Sequence, residues 1–107
     1  MSDGKYDRFV DEVALDSIRE TPLVYGALKL ASQTGDIAKR VSDVIKDPEW
    51  DEQGELPKTV RDSIVSELGD ALWYITFLAG VLDSNLCDLI KTNMSDIRMG
   101  NPHQLTR

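Results

Sequence analysis

Apolar residues recur at helical spacing along the whole chain, and nowhere with the alternation of a strand. Tyr6, Phe9, Val10, Val13, Ala14 and Ile18 mark a first amphipathic helix within residues 1–20. Thr21-Pro22 opens a second, with Thr21 as N-cap and Pro22 in the first helical position. Its stripe runs Ala27, Leu30, Ala31, Thr34, Ile37, Ala38, Val41, Val44, Ile45. Residues 47–57 hold two prolines, a glycine and five acids with no apolar period, which predicts a surface loop. Pro57 suits the first turn of a third and longest helix, with Val60, Ile64, Leu68, Ala71, Leu72, Ile75, Leu78, Ala79 and Leu82 as its stripe. Asp83-Ser84 should end it and cap a fourth helix carrying Leu86, Leu89, Ile90, Asn93 or Met94, and Ile97. Gly100-Asn101-Pro102 stops that one. The expectation is all-α, a four-helix bundle-like single domain over 1–107: an N-terminal helix in 1–20, a core in 22–98 and a polar tail in 99–107.

Composition narrows the function. The 107 residues are 41% hydrophobic and 29% charged, enough for one folded core. With 19 acidic against 12 basic residues the formal charge is −7, which argues against nucleic acid as a partner. Cys87 is the lone cysteine and reads as a small buried hydrophobe, while His103, the single histidine, falls in the tail, so thiol catalysis is excluded. The first ten residues have no apolar core of a leader, and no uninterrupted apolar run is long enough to cross a bilayer. A cytoplasmic protein without a membrane partner is expected.

Two acidic tetrads carry the chemistry. Gln33 and Asp36 are three residues apart, as are Glu67 and Asp70, so on helices each pair stacks on one face. Each member sits one residue before a stripe position, about 100° of rotation from the buried stripe, and the seams face each other if the helices pack antiparallel. Oxygen donors on facing helices suit a hard divalent cation and, with it, a phosphate substrate. The competing reading is a solvated charged face. Gly35 and Gly69, one inside each tetrad, ask for a reason because glycine costs a helix interior about 1 kcal/mol, and close helix approach would supply one. Lys29 and Arg40 extend the polar seam toward a phosphate or are ordinary surface charges. Asp43 extends it too. Trp73 reads as core, Tyr74 as a base or sugar contact, and Trp50, exposed in the acidic loop, as part of a lid or a subunit contact. Val24, Val65, Phe77 and Val81 exceed what one short bundle covers, so helix faces should pair between subunits.

The run Glu67-Leu68-Gly69-Asp70-Ala71-Leu72-Trp73-Tyr74 resembles the second signature of MazG-like nucleotide pyrophosphohydrolases, part of the all-α NTP pyrophosphatase superfamily. Leu30 to Ala38 resembles the first, where Gln33 and Asp36 stand in place of two glutamates, and Asn93 falls at a substrate-binding asparagine of the last helix. The lysine that follows it by three residues in the family is Asp96 here. The resemblance implies the MazG fold and hydrolysis of a nucleoside triphosphate to monophosphate and pyrophosphate by a homodimer or homotetramer. It implies Mg²⁺, with Mn²⁺ as substitute, on Gln33, Asp36, Glu67 and Asp70. Glu67 and Asp70 would be catalytic and Asn93 would contact substrate; from the residues themselves, Glu67 has the reach to act as base for the water if it is not bound to metal, and Lys29, Tyr74 and Lys91 are further candidate substrate contacts. The departures at the first signature leave a second reading, a catalytically weakened relative that binds a nucleotide or a protein.

Overall fold

The computed structural model describes residues 4–13, 21–50 and 54–100, and among these it contains four α-helices and no strand. They are α1 (Lys5–Val13), α2 (Pro22–Ile45), α3 (Lys58–Val81) and α4 (Leu86–Arg98). The all-α expectation holds. Ala14 and Ile18 of the first stripe, the Asn101-Pro102 stop and His103 lie outside the described residues.

Helices α2 and α3 form the principal packed pair, α1 lies against α3, and α4 touches α3 least. Pro22 starts α2 as its fixed φ allows, with the Tyr25 N–H donating to the Thr21 carbonyl at 2.9 Å; the Thr21 hydroxyl makes no cap bond. Pro57 is the N-cap of α3 rather than part of its first turn. The predicted Asp83-Ser84 cap is corrected. Asp83 takes a left-handed φ of 58° and closes α3, with the Ser84 N–H reaching back to the Ala79 carbonyl at 2.7 Å. Asn85 then caps α4, its Oδ1 accepting from the Asp88 N–H at 2.9 Å. Asp7 of α1 accepts from the Leu86 N–H at 2.8 Å, placing a carboxylate at the positive end of α4. A contact spanning 79 residues has no local sequence signal.

The core is small and aromatic. Val10 and Phe77 are buried at its centre, with Tyr6, Tyr25, Trp73 and Val81 against them. Trp73 stacks on Phe77 with centroids 5.6 Å apart, as its core reading requires. Phe77 and Val81 are thus core, not surplus. Val24 and Val65 are exposed as expected, but so are stripe members Val41, Ile45, Leu68, Leu72 and Leu82. Cys87 is half-buried. The Cα radius of gyration, 16.6 Å, exceeds the roughly 13 Å of a compact 100-residue chain. The apolar stripes are wider than one chain covers.

By length and composition α3 is apolar enough to cross a membrane, although Glu67 and Asp70 interrupt its apolar run. Phe77, Thr76, Ala71 and Ala79 of this helix are nonetheless buried.

The glycines do not behave as the tetrads suggested. A methyl group added at Gly35 or Gly69 meets nothing within 4 Å, so neither serves a close helix approach. Gly26 does: there a Cβ falls 2.7 Å from Leu78 Cδ2 and 3.1 Å from Phe77 Cδ2. Gly35→Ala and Gly69→Ala are each expected to raise stability by up to about 1 kcal/mol in urea unfolding. Gly26→Ala is expected to lower it by roughly 1–3 kcal/mol, because overpacking outweighs helix propensity. Equal effects at all three positions would refute this placement of the helix contact.

Candidate functional site

Gly26 sets the register of the antiparallel pair by letting α2 settle onto Phe77 and Leu78. Seven residues along α2 from Gly26 is Gln33, and seven back along α3 from Phe77 is Asp70. Ten residues from the same points are Asp36 and Glu67. That count puts Gln33 level with Asp70 and Asp36 level with Glu67 along the pair, and the second two line one recess. Tyr25 against Tyr74, with ring centroids 6.4 Å apart, fits the same register.

Asp36 and Glu67 share a polar recess of about 340 Å³ with Lys39, Arg40 and Asp43. Arg40 reaches across the helices to Glu67, Nε to Oε1 at 2.6 Å and Nη2 to Oε2 at 3.4 Å. This hydrogen bond, and then the charge of Glu67, pushes the Arg40 pKa further up, with Asp43 and Asp36 adding to it. Glu67 is the more shielded partner, its side chain 17% exposed against 42% for Arg40. Lys39 pairs with Asp43 at 3.3 Å. The recess thus holds cationic side chains beside carboxylates, with Arg40 tied to Glu67 and Lys39 largely exposed, an arrangement that suits a phosphate accompanied by a cation.

Asp70 is exposed one turn further along α3, and its charge bears on Tyr6 and Tyr74. Burial first, then neighbouring charge, raises the pKa of Tyr6; burial, then Tyr25, then Asp70 raise that of Tyr74. Both phenols stay protonated well past neutrality. Lys29 lies with its Nζ 5.9 Å from the Tyr25 ring centroid, on the aromatic end of the seam and not among the residues lining the recess. Lys91 belongs to a second recess on α4, with Met94, Ser95, Arg98 and Met99, and Asn93 also lies on α4. Neither lines the recess that holds Glu67.

Among the described residues, no three acidic, histidine or cysteine side chains stand close enough to hold one metal ion. The residues fit Mg²⁺ as a two-carboxylate site, since that ion takes one or two carboxylates and completes its shell with water and phosphate. Asp36 and Glu67 are the pair that would hold it. A carboxylate has about four lone-pair sites, so the pairing with Arg40 leaves Glu67 able to ligate. Sequence reasoning missed Arg40 as the partner of Glu67. The two lie on different helices 27 residues apart, so helical spacing could not reveal the pair.

The chain is 30% identical over 76 residues to the "Gene 37 protein" of Mycobacterium phage L5, across 71% of this chain and 63% of that protein. It therefore spans less than two thirds of that relative's length. No family model matches the chain. No solved structure matches it either.

Proposed function

We propose that this protein is a Mg²⁺-dependent nucleoside triphosphate pyrophosphohydrolase, working as a homo-oligomer with a MazG-like fold. The observation that carries the reading is the meeting of Asp36 and Glu67, from two helices, in one recess that also holds Lys39 and Arg40. The resemblance of residues 67–74 to the second pyrophosphohydrolase signature supplies the reaction. Arg40 and Lys39 offset the charge of the triphosphate, and Arg40 at the same time holds the Glu67 carboxylate in place. Glu67 accepts the proton of the attacking water on a lone pair that neither Arg40 nor the ion takes, as the water oxygen bonds to the α-phosphorus, the α–β anhydride breaks and pyrophosphate leaves. When bound, Mg²⁺ neutralises phosphate charge and acidifies a coordinated water.

The test is a panel of ribo- and deoxynucleoside triphosphates with Mg²⁺ in ¹⁸O-labelled water. Monophosphate carrying the label, together with unlabelled pyrophosphate, is the expected result. Diphosphate and orthophosphate as first products would overturn it. The second reading, a nucleotide- or protein-binding relative with weakened catalysis, has one observation in its favour: both oxygens of Glu67 are engaged by Arg40. Nucleotide binding without turnover would decide for it.

Oligomerisation is supported by the uncovered stripes. Leu28 is 66% exposed and Leu68 52%, on the same helix pair that bears the recess. Light scattering is expected to give at least twice the mass of one chain, and Leu28→Asp is expected to lower that mass without loss of helix signal. A wild-type monomer at micromolar concentration would refute the pairing.

A further inference from the structure

Beyond the recess, and sharing Arg40 and Asp43 with it, lies a cavity of about 510 Å³ between the end of α2, the acidic loop and the start of α3. Its apolar lining is Val44, Trp50, Pro57 and Val60. The remaining polar lining is acidic: Asp47, Glu49 and Glu55. Trp50 is not the exposed loop residue that its sequence context suggests. It is part-buried, and its Nε1–H is shut away from solvent without an acceptor among the described residues. The turn that carries it is fixed, since Asp47 Oδ1 accepts from the Glu49 N–H at 2.9 Å and the Asp47 carbonyl from the Trp50 N–H at 3.0 Å.

A cavity of this size with an indole on its wall takes a flat apolar ring. Its carboxylates repel phosphate and accept N–H donors, and Arg40 turns Nε and Nη2 toward Glu67 rather than into it. The contiguity with the recess makes the two together nucleotide-shaped, phosphates at Asp36 and Glu67, ring at Trp50. We propose that this cavity is the base site and that it selects bases bearing an exocyclic amine, namely adenine, cytosine and guanine, over thymine and uracil. The amino bases offer N–H donors to Asp47, Glu49 or Glu55. Thymine and uracil offer one N–H flanked by two carbonyl oxygens, which face the same carboxylates unfavourably. This selectivity rests on the nucleotide reading of the recess, though not on turnover.

The test follows the two indole N–H resonances, Trp50 and Trp73, of the ¹⁵N-labelled full chain with Mg²⁺ while nucleoside monophosphates are added. The Trp50 resonance is expected to move with dCMP, dAMP and dGMP at roughly tenfold lower concentration than with dTMP or dUMP, the worth of one hydrogen bond to a charged group. Glu55→Gln and Glu49→Gln, both on the exposed loop, are expected to narrow that ratio while helix content stays unchanged. Equal response to dTMP, or a Trp50 resonance that stays still at every nucleotide concentration, overturns the proposal. If the amino bases move Trp50 and no triphosphate is hydrolysed, the base site stands and the hydrolase reading falls. If triphosphates are hydrolysed without regard to base, the reverse holds.

Discussion

Glu67→Gln is expected to lower nucleotide turnover by roughly a hundredfold or more, the scale of losing a positioned general base, with little change in the thermal melt. The substitution keeps the length of the side chain and one oxygen that can accept from Arg40, so the cross-helix contact at 2.6 Å survives in weakened form. It removes the charge that a divalent ion and an attacking water both need. Asp43→Asn offers the contrast. Asp43 lines the same recess but is paired with Lys39 on its own helix, and its loss is expected to change turnover far less. Steady-state assays of the two variants beside wild type decide the matter. Near-normal activity in Glu67→Gln would make the seam a solvated face, and an equal loss in both variants would point to overall charge rather than to a placed base.

The architecture was legible from apolar period alone because α2 and α3 are long and regular, 24 residues each, and their ends are marked by Pro22 and Pro57. What failed to read were features that depend on contact between distant segments. Gly35 and Gly69 drew attention by standing inside matching tetrads, yet both face open space. Gly26 in its plain context is the residue that α3 presses against, and only the packed pair reveals it. The same holds for Asp7, whose bond to the Leu86 N–H locks the first helix to the last, and for Trp50, part-buried on the wall of a cavity that Val44 and Val60 also line. At the seams, spacing alone placed Gln33 with Asp36 and Glu67 with Asp70. It could not tell that Asp36 and Glu67 would share the recess while Asp70 stood among tyrosines. Side chains three apart on a helix point about 60° apart, and the partner helix settles which of them it meets, as Arg40 meets Glu67.

Phe77→Ala is expected to cost roughly 3–5 kcal/mol in urea unfolding, a large share of the ~5–15 kcal/mol that holds a domain of this size together. Phe77 is 8% exposed and is the hub of the core: Trp73 stacks on it, Tyr25 meets it edge-on at 6.1 Å, and Val10 of α1 packs beside it. Few other buried side chains share the load, so the cavity left behind cannot be refilled from neighbours. The ring has a second duty, because with Leu78 it forms the surface on which Gly26 seats α2. That seat fixes which residues lie level further along the pair, Asp36 with Glu67 among them. Phe77→Leu, which retains most of the volume, is therefore expected to recover much of the stability but to lower turnover more than its stability loss explains, since a smaller side chain lets the helices settle in a shifted register. Measured together, unfolding and turnover separate the two duties. If Phe77→Leu loses activity only in proportion to its unfolded fraction, the core serves stability alone and the register is held elsewhere along α2 and α3.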